Sequence, residues 1–105
     1  MDVNERIGSL VGDSSIVLFM KGDRRFPMCG FSGQAIQLLE SCAATYETVN
    51  VLDDEEIRQG IKAYSSWPTI PQLYVGGEFV GGSDIMMSLH QQGELQRLIK
   101  ETQVA

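Results

Sequence analysis

Residues 28–32 read Met28-Cys29-Gly30-Phe31-Ser32, and the fold turns on how this pentapeptide joins its neighbours. Before it come an apolar run, Ile16-Val17-Leu18-Phe19-Met20, and a short basic loop from Lys21 to Pro27. After it, Ala35, Ile36, Leu38, Leu39, Cys42 and Ala43 recur at helical spacing. The pattern predicts a strand, a loop over 21–28 and a helix over 30–43, with Cys29 at the junction. A thiol placed there lies among unpaired backbone N–H groups and the positive end of a helix dipole. That setting favours the thiolate, the form that attacks disulfides and binds metals. Ser32 occupies the place where a Cys-x-x-Cys pair would put its second cysteine. The chain therefore offers a reactive thiol without a resolving partner.

Working outward, Val3, Ile7, Leu10 and Val11 predict an amphipathic helix over 3–11, ended by Gly12-Asp13-Ser14. The run from Ser15 to Met20 has strand length and is continuously apolar from Ile16 on, as in parallel strands buried on both faces. Tyr46 to Leu52 is rich in β-branched residues and reads as a second strand, parallel to the first through a right-handed crossover. Asp53 and Asp54 offer N-caps for a helix reaching about Tyr64. Gly76-Gly77 between Gln72–Val75 and Glu78–Val80 is a hairpin signal. A last helical region runs from Ile85 to Lys100, interrupted near Gly93. The order implies an α/β fold: a four-stranded mixed sheet flanked by helices on both faces, in one domain over 1–105.

Composition narrows the function. The 105 residues are 43% hydrophobic and 21% charged, ordinary for a globular chain. A formal charge of −6 argues against a nucleic-acid binder, which needs a basic surface. No apolar run is long enough for a membrane span, and no signal peptide is visible, so a cytoplasmic protein is expected. At ~1.5 Å per residue, one helix separates Cys29 from Cys42 by roughly 20 Å. A disulfide needs Cα atoms within about 7 Å, so both cysteines should be free, as suits a reducing compartment. Cys42 shares a face with Ala35, Leu38 and Leu39 and reads as core. Lys21, Arg24 and Arg25 crowd the loop before Cys29, either as solvated charge or as a rim that lowers its pKa and draws an anionic ligand. His90, beside Gln91 and Gln92, reads as solvent-facing, and Met20, Met28, Met86 and Met87 as packing residues. Trp67 reads as a loop anchor or as a ring on which a ligand could stack.

Four stretches in series now carry a resemblance. Phe19-Met20-Lys21-Gly22, Pro27 to Ser32, Trp67-Pro68-Thr69-Ile70-Pro71-Gln72-Leu73 and Gly81-Gly82-Ser83-Asp84-Ile85 resemble the monothiol glutaredoxins with a Cys-Gly-Phe-Ser site. The likeness runs from Val3 to about Thr102 and implies a thioredoxin-like fold, glutathione binding and a [2Fe–2S] cluster shared between two chains. Such a cluster needs four ligands, typically thiolates. Two copies of Cys29 supply two, and two glutathione thiols complete the count.

The resemblance implies a glutathione site as well. Lys21 faces the glycine carboxylate with help from Arg58, and Thr69, Ile70 and Pro71, the last after a cis bond, pair with the ligand's cysteine. Gly82, Ser83 and Asp84 open a helix whose N–H groups suit the γ-glutamyl carboxylate, while Asp84 accepts from its amine. Where some relatives carry a cysteine, Ser83 removes an internal dithiol cycle. The expected role is therefore cluster carriage: a monomer when apo, a homodimer when loaded, delivering to acceptor apoproteins and able to pair with a BolA-type protein. The alternative is a glutathione-dependent thiol–disulfide oxidoreductase with Cys29 as its sole nucleophile.

Overall fold

The computed structural model describes residues 2–104. Its elements run α1 (Val3–Gly12), β1 (Ile16–Met20), α2 (Gly30–Ser41), β2 (Glu47–Asn50), α3 (Glu55–Ser65), β3 (Gln72–Val75), β4 (Glu78–Gly81), α4 (Ser83–Gln91) and α5 (Glu94–Val104). The strands order as β2-β1-β3-β4. β1 is parallel to β2, with Val17 opposite Glu47, and antiparallel to β3, with Val17 opposite Tyr74. β3 and β4 form the antiparallel hairpin that Gly76-Gly77 promised. This is the thioredoxin-like mixed sheet expected from the sequence.

The side-chain alternation of β1 divides the interior in two. Val17 and Phe19 point toward α1 and α3, joining Ile7, Val11, Ile57 and Ile61. Ile16, Leu18 and Met20 point the other way, joining Ala35, Leu39, Met86, Leu95 and Ile99 from α2, α4 and α5. Every residue of β1 is at most 1% exposed, which explains why the run is apolar without alternation. Each such side chain contributes about 1.5–3 kcal/mol on burial.

α5 runs on to Val104, past the expected end at Lys100, and three other boundaries differ from expectation for a visible local reason. The second strand stops at Asn50, and Val51–Asp53 form a turn of 3-10 helix. Asn50 Oδ1 accepts from Leu52 N–H and from Gly22 N–H, so the side chain turns the backbone off the sheet. α2 ends at Ser41, with Cys42 as its C-cap and Ala43 left-handed beyond it. α4 begins at Ser83, two residues early. Gly82, extended, is its N-cap, so Ser83 and Asp84 sit inside the first turn rather than capping it. Asp54, by contrast, caps α3 as predicted, accepting from Glu56 and Ile57 N–H, and pairs with Arg6 of α1.

Candidate functional site

Cys29 is the extended N-cap of α2, where the strand-loop-helix reading put it. Cys29 is partly buried, and its side chain makes no capping hydrogen bond to the helix. The Ser32 N–H nevertheless favours the thiolate and is the main reason its pKa lies below that of a free thiol. Partial burial opposes this shift, while the Phe31 N–H, the Ser32 hydroxyl and the Lys21 charge assist it. The helix start thus matters more than the basic loop. Arg24 in particular is committed elsewhere: its guanidinium donates to the Tyr46 carbonyl oxygen and lies 4.1 Å above the Tyr46 ring.

Ser32 is fully buried, and its Oγ accepts from the Lys21 N–H at 3.1 Å. The hydroxyl that stands in for a second cysteine therefore ties the end of β1 to the first turn of α2. The loop between is itself closed. Gly22 and Pro27 bridge, Met28 N–H donates to the Lys21 carbonyl at 2.8 Å, and Asp23 Oδ1 accepts from Arg25 and Phe26 N–H at 2.9 and 2.8 Å. Gly22 permits this closure: at φ +90° a Cβ would lie 2.3 Å from the Phe26 carbonyl oxygen. The loop displays Phe26 and Met28, 71% and 68% exposed, and Phe31 beside them is 60% exposed. Met28 is therefore not a packing residue, as the sequence suggested, but part of an apolar collar around Cys29.

Beside Cys29 opens a groove of about 440 Å³. It is lined by Lys21, Cys29 and Phe31, by Lys62 of α3, by the segment Trp67–Pro71, and by Gly82, Ser83, Asp84 and Ile85 at the start of α4. The Ile70–Pro71 bond is cis, and both residues are buried. The fold thus gathers Lys21, Cys29, Thr69, Ile70, Pro71, Gly82, Ser83 and Asp84 about one space. Arg58 lies on α3 one turn before Lys62, outside the groove lining. It pairs with Glu55 at 3.9 Å, and its Nε is buried without a partner among the described residues.

Three positioning residues escape a sequence reading. Lys62 follows Arg58 at a spacing of one helical turn and reaches the groove wall once α3 packs on the sheet. Gln72 is fully buried, and its Nε2 donates to the Trp67 and Thr69 carbonyls at 3.0 and 3.2 Å, fixing the 67–69 wall. Gln34 accepts at Oε1 from the buried Ser83 hydroxyl, joining the start of α4 to α2. Trp67, for its part, packs on Phe79 with ring centroids 5.8 Å apart while still lining the groove. In chemical terms the groove brings together two lysine cations, the first turn of α4 with the Asp84 carboxylate, and an acidified thiol.

The glutaredoxin family model matches residues 16–80. A relative described as an uncharacterized monothiol glutaredoxin ycf64-like, from Synechocystis sp., is 54% identical over 99 residues, covering 94% of this chain and 92% of its own. The solution structure of reduced poplar apo GrxS14 superposes with a TM-score of 0.84 at 46% identity, covering 98% of this chain and 94% of that one. The crystal structure of a buckwheat glutaredoxin–glutathione complex shares the fold, with a TM-score of 0.85 at 23% identity, covering 95% and 89%.

Proposed function

This chain belongs to the glutaredoxin family and to its monothiol members, and on that premise we propose that it is a glutathione-dependent carrier of [2Fe–2S] clusters. The observation that carries the reading is the state of Ser32. A buried hydroxyl bonded to the Lys21 N–H replaces the resolving thiol, so Cys29 works without an internal partner. Glutathione lies along the groove with its glycine carboxylate toward Lys21 and Lys62, with Arg58 behind them. The backbone of Thr69, Ile70 and Pro71 flanks its cysteine. The α4 N-terminus at Gly82, Ser83 and Asp84 takes the γ-glutamyl group, as helix N-termini take anions. Its thiol then sits beside Cys29, and glutathione is the molecule held in the buckwheat structure of the same fold.

The cluster is cargo. One Cys29 and one glutathione thiol from each of two chains make the four thiolates it requires. The apolar collar of Phe26, Met28 and Phe31 supplies the surface on which the second chain, or a BolA-type partner, closes. Since half of the ligands belong to exchangeable glutathione, release to an acceptor apoprotein needs only thiol exchange. The two free cysteines suit a reducing compartment, and we place the protein in the cytoplasm.

The lowered pKa of Cys29 also favours a second reading, reduction of glutathionylated thiols. There the Cys29 thiolate attacks the glutathione sulfur of the mixed disulfide and the substrate leaves as thiol. A second glutathione then reduces Cys29, leaving as oxidised glutathione.

Anaerobic reconstitution with ferrous iron, sulfide and glutathione separates the two. The carrier reading expects a coloured dimer with about one cluster per two chains, lost in Cys29→Ser and when glutathione is omitted. A colourless monomer that reduces glutathionylated substrate would replace it with the oxidoreductase.

A further inference from the structure

Trp67 is held in the groove by more contacts than a loop anchor needs. Its backbone N–H donates to the Lys62 carbonyl and to Ser65 Oγ, each at 3.1 Å, and its carbonyl accepts from the buried Gln72. The ring packs on Phe79 and is 36% exposed. Among the described residues all its hydrogen bonds run through the backbone, which leaves the indole N–H without a partner. The indole nitrogen borders Gly82, another lining residue: a Cβ there would lie 3.5 Å from Nε1 and 3.1 Å from the Pro71 carbonyl oxygen. Glycine therefore keeps a gap open beside the donor. Gly82 is also the N-cap of α4, and no side chain caps that first turn, since the Ser83 hydroxyl donates to Gln34 instead.

Resting on the reading that glutathione occupies this groove, we propose that Trp67 is a further specificity-determining residue, whose indole N–H donates to the γ-glutamyl α-carboxylate. That head of the ligand carries a carboxylate and an ammonium on one carbon. Asp84, an acceptor when ionised, suits the ammonium and repels the carboxylate. The carboxylate needs donors, and the gap at Gly82 is bordered by two kinds: the uncapped first turn of α4 and the indole N–H. Indole donates and does not accept, so it serves only the carboxylate and fixes which way round the head sits. The donor is also in place beforehand, because backbone bonds and the Phe79 contact hold Trp67, so little ordering is lost on binding. A thiol without the γ-glutamyl head gains nothing from it. The indole therefore separates glutathione from cysteinylglycine, a preference that neither Lys21 nor Lys62 provides, since both ligands keep the glycine carboxylate.

Because Trp67 is the one tryptophan, the nitrogen-15-labelled full chain has a single indole N–H resonance, which reports this contact directly. Titration with reduced glutathione should move that proton downfield, with the same midpoint as the backbone amides of Ser83 and Asp84. γ-Glutamylcysteine, which keeps the head, should move it likewise, and cysteinylglycine at equal concentration should leave it in place. Trp67→Phe keeps a ring against Phe79 but has no N–H. Its Kd for glutathione should rise about tenfold, as for a hydrogen bond to a charged acceptor, while its amide spectrum confirms the fold. The indole titration on the unaltered chain decides the matter even if that variant does not fold. An indole resonance that stays put while the groove amides shift, one that moves equally with cysteinylglycine, or an unchanged Kd in Trp67→Phe would overturn the proposal and leave the glutathione reading standing. If glutathione shifts no groove amide of the unaltered chain, that reading falls and this inference with it.

Discussion

At the scale of single residues, the two thiols are set apart by what surrounds them. The Ser32 N–H stabilises the Cys29 thiolate, whereas burial pushes the Cys42 thiol up from 9.0. With iodoacetamide, Cys29 should react first: its rate levels at a lower pH, because its pKa lies below that of a free thiol, while that of Cys42, whose pKa is raised by burial, is still climbing where Cys29 has levelled. Peptide mapping after graded alkylation checks the order, and equal labelling at neutral pH would refute it. Ser32→Ala removes the acceptor of the Lys21 N–H and the hydroxyl beside Cys29. The expected result is a loss of about 1–3 kcal/mol in urea unfolding and slower alkylation of Cys29 at pH 7. An unchanged alkylation profile would show that backbone N–H groups alone set the thiol. Both Cys29 and Ser32 were legible in the sequence because a strand-to-helix junction needs only local pattern. The partner of Arg24 was not: a backbone oxygen at Tyr46 is invisible until β2 lies beside β1.

At the scale of elements, the sequence placed all four strands and four helical regions, the last of them interrupted near Gly93 where the structure has α4 and α5, and the misplaced ends include those where a single residue sets the boundary. Asn50 bends the chain off β2 by accepting Leu52 N–H, which no count of β-branched residues registers. The start of α4 depends on Gly81 and Gly82. At Gly81, φ is +149° and a Cβ would lie 2.7 Å from Ile85 Cβ, so the backbone of β4 runs hard against the first turn of α4. Gly81→Ala should cost roughly 2–4 kcal/mol by denaturant unfolding. It should also weaken glutathione binding, because the shifted turn is one end of the groove. Gly12, at the end of α1 with nothing within 4 Å of its Cβ position, is the matched control. There alanine should be neutral or stabilising by about 0.4–1 kcal/mol. Equal effects at the two glycines would mean that backbone entropy, not the approach of β4 to α4, governs both.

At the scale of the whole molecule, β1 is a shared wall between two apolar clusters, and neither side stands without it. Leu18→Ala empties the α2, α4 and α5 side and should cost about 2–5 kcal/mol. Far-UV dichroism and the emission of Trp67, the one tryptophan, should still report a single coincident transition. Separate midpoints would show that the two sides unfold independently. The central place of β1 was readable from its unbroken apolar run. The contributions of Lys62, Gln72 and Gln34 to the groove were not, since each depends on how a helix or strand from elsewhere in the chain comes to rest. One consequence concerns time rather than energy. The loop from Gly22 to Pro27 is bridged across its base, capped by Asp23 and tethered by Arg24 to Tyr46. The loop that precedes Cys29 is a closed turn, not a hinged flap. The arrival of a small thiol at Cys29 should therefore be limited by diffusional encounter, and its residence time by the strength of its contacts, with no opening step of the protein setting the pace.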